Sequence, residues 1–128
     1  MNTLEKSADL AGRTLLVILF LLAALSKISG YAGTQAYMQA AGVPGILLPL
    51  VILTELGGGL MILVGWHTRL VAFLLSGFTL IAALIFHHHT ADMTQQLMLL
   101  KDISIAGGFL LLVARGAGDW SVDARRNR

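Results

Sequence analysis

The sequence contains no cysteine. A dithiol relay, a thiolate-ligated iron–sulfur cluster and a structural disulfide are all excluded by that one absence. Charge is scarce as well: Asp, Glu, Lys and Arg supply 12% of the 128 residues, against 56% hydrophobic. So little polar side-chain surface cannot coat a soluble globule of this size. The chain also lacks a glycine-rich dinucleotide fingerprint, a flavin-type motif and a complete haem ligand set. By itself it cannot carry electrons from one substrate to another. No internal repeat or low-complexity segment is visible, and the net charge of +2 does not point to nucleic acid, because the arginines gather beside helix ends as topology signals.

What the chain does have is four apolar runs and a mean hydropathy of +0.78, the signature of an integral membrane protein. The uncharged stretches run from Thr14 to Ser26, Leu56 to Thr68, Leu70 to Phe86 and Ile103 to Ala114. The shorter ones cover roughly 20 Å as helix, less than the roughly 30 Å hydrocarbon core. Spans are therefore predicted near 11–30, 46–65, 68–88 and 93–115, and each must carry charge toward or into the slab. The fold expected is an all-α, integral membrane four-helix bundle forming a single domain, 1–128. The first apolar run, preceded by Lys6 and Arg13, imitates a cleavable signal, but it continues past Ala23 and Ala24 through Lys27 to Gly30 and is expected to be retained. Lys and Arg are absent from 31–45 and 89–92 and present before the first span, at Arg69 and after Arg115. The positive-inside rule then puts both termini in the cytoplasm, with Trp66 and Trp120 at that interface.

Local chemistry marks the boundaries. Thr34 is suited to cap a short outer helix over 35–41 closed by Gly42, and Pro44 and Pro49 suit a loop and a helix start. Asp92 with Gln95 three residues on resembles a capping box. The tail from Gly116 onward reads as a turn followed by an exposed basic end.

In this orientation Lys27, His87, Lys101 and Asp102 fall on the outer side, with Glu55 nearer the midplane. Two lysines against two carboxylates make the cluster formally neutral, which is how intramembrane charges become tolerable. A water- or ligand-filled pocket open to the outside is the inferred geometry. Each member has a plainer reading. Lys27 could snorkel to the headgroups. Glu55 is too deep for that and is either an ion-pair partner of Lys27 or Lys101, or a group that binds ligand or moves protons. Lys101 and Asp102, about 100° apart on a helix, cannot share a face, so one turns to a neighbouring helix or the pair anchors the interface.

The run His87, His88, His89 splays its rings instead of converging on one ion, so no metal site is expected. His87 is the member best placed to handle protons or contact a ligand. His67 lies on the opposite side, which leaves a bis-histidine haem only as a site shared between subunits. Gly57, Gly58, Gly59, Gly107 and Gly108 suit close helix packing, or alternatively leave room for a flat ligand beside Glu55.

The segments from Gly30 to Gly45, Glu55 to Arg69 (E-L-G-G-G-L-M-I-L-V-G-W-H-T-R), Ile85 to His89, Leu100 to Leu112 (L-K-D-I-S-I-A-G-G-F-L-L-L) and Gly116 to Asp123 resemble the DoxX family, in order and over nearly the whole chain. The resemblance implies a small four-helix protein of the bacterial inner membrane, with relatives described as subunits of quinol oxidase or thiosulfate:quinone oxidoreductase and others linked to oxidative-stress complexes. Where such proteins often have Lys-Asn, this chain has Lys101-Asp102.

Three functional classes follow. One is a quinone-linked oxidoreductase subunit whose protein partner supplies the redox cofactor, the chain itself holding no metal or covalent cofactor. There Lys27, Lys101 or a histidine would donate to a quinone carbonyl, Glu55 or His87 would act as base, and Tyr37 would close over the headgroup. The second is a scaffold or assembly partner, alone or as a homo-oligomer, and the third is a binder of a small lipophilic molecule.

Overall fold

The computed structural model describes residues 2–87 and 92–126, and among these the regular structure is entirely helical. In chain order the helices are α1 (Thr3–Ser29), α2 (Tyr31–Ala40), α3 (Leu48–Val64), α4 (Thr68–Phe86), α5 (Met93–Arg115) and α6 (Val122–Arg126), with a 3₁₀ turn at Gly45–Leu47 ahead of α3. The segments Thr3–Ser29, Gly45–Val64, Thr68–Phe86 and Met93–Arg115 are long and apolar enough to cross a membrane. They run alternately up and down, α1 against α3, α3 against α4, α4 against α5 and α5 back against α1. Both ends of the described chain thus lie at one end of the bundle, called here the terminal end, and α2 lies at the other.

Helix ends depart from the predicted spans for identifiable reasons. α1 begins eight residues before 11 because Asn2 caps it, its Oδ1 accepting from the Glu5 amide at 2.8 Å. Hydropathy marks the segment in lipid, and the cap marks the helix. At 27 residues, α1 is about 40 Å long, so its first turns project beyond the hydrocarbon. α2 starts at Tyr31, not after Thr34, whose hydroxyl instead donates back to the Gly30 carbonyl at 3.0 Å. Its C-terminus closes as expected on Gly42, which has φ +85°: Gly42 N donates to Gln39 O and Val43 N to Met38 O, the paired bonds of a Schellman motif. α3 ends the same way at Gly65, φ +75°, with bonds to Ile62 O and Met61 O. α4 stops at Phe86, with His87 as its C-cap, and residue 88 lies outside the described residues. At α5 Asp92 does cap, accepting from Thr94 N at 3.0 Å, but Gln95 turns away from the reciprocal bond.

The bundle's interior is small. Val17, Phe20, Ile62, Val71, Ala72, Leu75 and Phe109 form the buried cluster, and the rings of Phe20 and Phe109 meet edge to face with centroids 5.3 Å apart. Most large apolar side chains, Leu15, Leu53, Phe73 and Leu111 among them, point outward. For a protein bathed in hydrocarbon this is no cost, since burying leucine against leucine gains little over burying it in lipid tails. Close backbone approach takes over: a Cβ on Gly58 would lie 2.9 Å from Leu75, one on Gly59 2.9 Å from Leu21, and one on Gly108 3.1 Å from Leu16. Gly57 and Gly107 face open space.

The terminal end adds contacts that the sequence does not reveal. Arg13, read as a topology signal, is only 1% exposed, and its guanidinium donates to the carbonyls of Ile62 and Leu63 at 3.0 Å each and to that of Trp120. The carbonyls of Ile62 and Leu63 lie in the last turn of α3, where the negative end of the helix dipole favours a cation, and that of Trp120 belongs to the segment after α5. The tail beyond Gly116 turns at Gly116 and Gly118 and keeps Arg125 and Arg126 exposed, as expected, and it is also tied to the bundle. Asp123 N bonds Gly65 O at 2.9 Å, while the two carboxylate oxygens of Asp123 accept from His67 N and Thr68 N at 2.8 and 2.9 Å. His67 sits in the left-handed region at φ 49° in the tight turn between α3 and α4, and the carboxylate that caps α4 arrives from the far end of the sequence.

Burial pushes the Asp123 carboxyl up, but amide bonds from Thr68 and His67 outweigh it and hold the group below its ordinary value. A group depressed in the folded state contributes stability that is present above its unfolded pKa and is lost as pH falls through the folded one. Asp123→Ala is therefore expected to lose about 1 kcal/mol at neutral pH, the usual worth of a helix cap. Thermal unfolding in detergent should show that deficit shrinking below about pH 4; a deficit independent of pH would contradict the ionic cap.

Candidate functional site

At the α2 end the four long helices diverge around a cleft of about 370 Å³. Its walls are mainly apolar, from Leu19, Phe20 and Ala23 of α1, Val51 of α3, Phe78 and Ile85 of α4 and Ile105 of α5. Lys27, Tyr37, Glu55, His87, Lys101 and Asp102 all line it. Five elements contribute these six side chains, so the fold brings together residues as far apart in sequence as Lys27 and Asp102.

Their pairing is specific. Lys27 Nζ lies 2.7 Å from Glu55 Oε1, joining α1 to α3. Glu55 is 4% exposed, and the Lys27 side chain retains 27%. Lys27 thus turns toward the carboxylate instead of extending to the headgroups, and of the two lysines suggested as partners for Glu55 it is Lys27 that pairs. Lys101 has an exposed side chain, whereas its neighbour Asp102 turns inward. One helical step of about 100° separates the two outcomes. Asp102 Oδ2 stands 3.8 Å from His87 Nε2, and the other ring nitrogen of His87, Nδ1, is 2.8 Å from Gln95 Oε1. A Gln95 carbonyl in that position requires Nδ1 to carry the proton, which directs Nε2 at the carboxylate. At 3.8 Å this contact is an ion pair only when the ring is charged, and it is too long for a direct hydrogen bond.

Tyr37 of α2 stacks on Phe86 at the end of α4, ring centroids 5.2 Å apart and planes 17° from parallel. That stack lays the short helix across the cleft's margin. His88 and His89 lie outside the described residues, and among the described residues no group of three His, Asp or Glu side chains is placed to hold a metal ion. His67 is at the terminal end, where its Nε2 lies 3.4 Å from Arg126 Nη1.

Two residues escape a reading by polarity alone. Arg13 has a legible signal in retrospect: with Val17, Phe20 and Ala24 it forms the buried i, i+4, i+7, i+11 stripe of α1. Thr79 is 5% exposed, lines the cleft, and its hydroxyl has no hydrogen-bond partner among the described residues. A lone threonine in an apolar run gives no sequence signal.

An antiparallel, all-helical bundle with four spans and a charged cleft inside it defines a class of small integral membrane proteins. The DoxX family model matches residues 8–88, well over half of the chain, and the protein belongs to that family. It is 51% identical over 128 residues to inner membrane protein YqjF of Escherichia coli strain K12, covering 100% of this chain and 98% of that one. To inner membrane protein YphA of the same strain it is 36% identical over 124 residues, covering 91% and 88% of the two chains. A Bacillus subtilis strain 168 protein named "Putative oxidoreductase CatD" is 33% identical over 85 residues, 66% of this chain and 63% of its own. No solved structure matches. With these relatives and four spanning helices, the chain is a multi-pass protein of the bacterial inner membrane.

The Lys27–Glu55 pair yields a prediction of sign. Removing one partner leaves a buried charge uncompensated, at a cost of about 3–5 kcal/mol, whereas removing both is often close to neutral. Lys27→Met should lower the unfolding temperature in detergent sharply, and Lys27→Met combined with Glu55→Gln should recover most of the loss. Additive effects in that double-mutant cycle would mean that the two side chains do not interact in the membrane protein.

Proposed function

We propose that the cleft binds the headgroup of a membrane quinone or quinol, and that the chain acts as a quinone-docking subunit for a redox partner. The observation that carries this reading is the gathering of Lys27, Tyr37, Glu55, His87, Lys101 and Asp102 on one otherwise apolar cleft. Ligand sites have this composition, a hydrophobic lining with a few convergent polar groups, and the volume lies within their usual range of about 300–1,000 Å³. A quinone ring matches it in chemistry: flat and apolar, with oxygens at its edge. Lys27, with two N–H groups beyond the one facing Glu55, and Lys101 are donors to a carbonyl, and Glu55 and Asp102 accept from a quinol hydroxyl. When a partner's redox centre takes two electrons from the quinol, two protons leave with them, and the carboxylates and His87 are the bases at hand. The oxidoreductase name of the Bacillus subtilis relative supports the direction of this reading. A scaffold role is the second reading, favoured by Gly57, Gly77 and Gly107, which leave open surface where another helix could approach closely.

We infer further that the terminal end faces the cytoplasm, with the cleft on the periplasmic side. Lys6, Arg69, Arg115, Arg125 and Arg126 gather at the terminal end, whereas the other end has Lys27, matched by Glu55, and Lys101. The absence of cysteine makes this directly measurable. In intact cells whose outer membrane admits the reagent, Gly33→Cys should react with a membrane-impermeant thiol reagent. Arg126→Cys should react only after the inner membrane is opened, and the reverse pattern would invert the assignment.

For the docking role, protein purified in mild detergent should carry co-extracted quinone, detected by solvent extraction and chromatography, at a level that falls at least several-fold in Glu55→Gln. Wild-type protein free of quinone, and unresponsive to added quinone, would sink the proposal in favour of the scaffold.

A further inference from the structure

Three packing contacts fix how deep each polar side chain sits. Gly58 of α3 lies against Leu75 of α4, as the 2.9 Å approach of a Gly58 Cβ to that side chain indicates. Because these helices are antiparallel, Glu55, one turn before Gly58, stands level with Phe78 and Thr79, about one turn after Leu75. On the other flank, Ser76 Oγ donates to Ala106 O at 3.2 Å. The same count brings Thr79 level with Ile103, beside Asp102. On α1, Gly59 approaches Phe20 and Leu21, which brings Ala23 and Ala24 to that depth. Three polar side chains from three helices therefore share one depth: Glu55 from α3, Thr79 from α4 and Asp102 from α5. Two have partners on the side toward α2, Lys27 and His87 respectively. Thr79 is 95% buried and its hydroxyl pairs with nothing among the described residues, not even the carbonyl one turn back, the usual acceptor for a threonine in a helix.

A buried hydroxyl without a partner is expensive, about 1–3 kcal/mol, and a valine would fill the same space without that cost. We propose that Thr79 is a ligand-contacting, specificity-determining residue: its hydroxyl bonds an oxygen on the ring edge facing α4, while Glu55 and Asp102 flank the same ring from the neighbouring helices. This rests on the quinone-docking reading and adds to it how far the ring enters. The ring passes the Tyr37–Phe86 stack and reaches the level of Glu55, with an oxygen on the edge facing α4. A hydroxyl both donates and accepts, so Thr79 serves a carbonyl and a phenol alike. It therefore contributes to recognising the ring and not its redox state.

The test uses full-length protein in detergent and, as probe, a dimethoxy-methyl-benzoquinone carrying one prenyl unit. Affinity is read from the probe-dependent rise in unfolding temperature. Thr79→Val should weaken binding about three- to tenfold, the worth of one neutral hydrogen bond. Without probe, the variant should unfold at the same temperature as the wild type or higher, because an unpaired polar atom is gone. Thr79→Ser, which keeps the hydroxyl, should bind within about twofold of wild type. If Thr79→Val binds the probe as well as wild type does, the contact is refuted while the docking reading stands. A Thr79→Val protein destabilised without probe, with Thr79→Ser restoring it, assigns the hydroxyl to packing and refutes the contact too. Should the wild-type chain itself show no response to the probe, the docking reading falls first and this contact with it.

Discussion

A charge that enters hydrocarbon must meet its complement on a neighbouring helix, and here that constraint ties α1 to α3 at two levels. Toward α2, Lys27 meets Glu55 at 2.7 Å; toward the termini, Arg13 meets the carbonyls of Ile62 and Leu63 at 3.0 Å. Desolvating even one ion costs several kcal/mol, so neither clamp adds much net stability compared with an apolar pair. What they contribute is register. A helix sliding by one turn against its neighbour would separate the charged groups from their partners, a far larger penalty than the loss of any leucine contact in lipid.

The other half of the bundle is held differently. α4 and α5 share the Ser76–Ala106 bond, the His87–Asp102 contact and the Gln95 bond to the same imidazole. Between α3 and α4 the close approach is glycine against leucine. His87, Gln95 and Asp102 are partnered toward the α2 end, while deeper in, at Thr79, a hydroxyl remains unmatched among the described residues. The cleft exists because the apolar core at Phe20 and Phe109 fills only the terminal side of that level.

Much of this architecture was legible in the residues themselves. Charge-free runs marked the four spans, and Lys27, Glu55 and Asp102 beside those runs marked side chains in need of partners, with the choice between Lys27 and Lys101 for Glu55 left open. The limits are equally physical. Hydropathy senses lipid and not hydrogen bonds, so it missed the first turns of α1, which Asn2 caps outside the apolar stretch. Thr34 could have capped a helix from residue 35, but α2 starts four residues earlier, at Tyr31, with Gly30 as its N-cap. Arg13 looked like a surface charge because a guanidinium beside a helix end usually is one; only the carbonyls of α3, distant in sequence, make its burial affordable. Thr79 was invisible because what distinguishes it is the lack of a partner, a property of neighbours and not of sequence.

The carboxylate of Asp123 completes the first turn of a helix that begins 55 residues earlier, at Thr68. At synthesis rates of about 5–20 residues per second, the hairpin of α3 and α4 emerges seconds before its cap exists. During that interval His67 must hold its left-handed conformation, or relax from it, without the tail. Gly116–Arg126 can take its place against the turn between α3 and α4 only once α5 has been made.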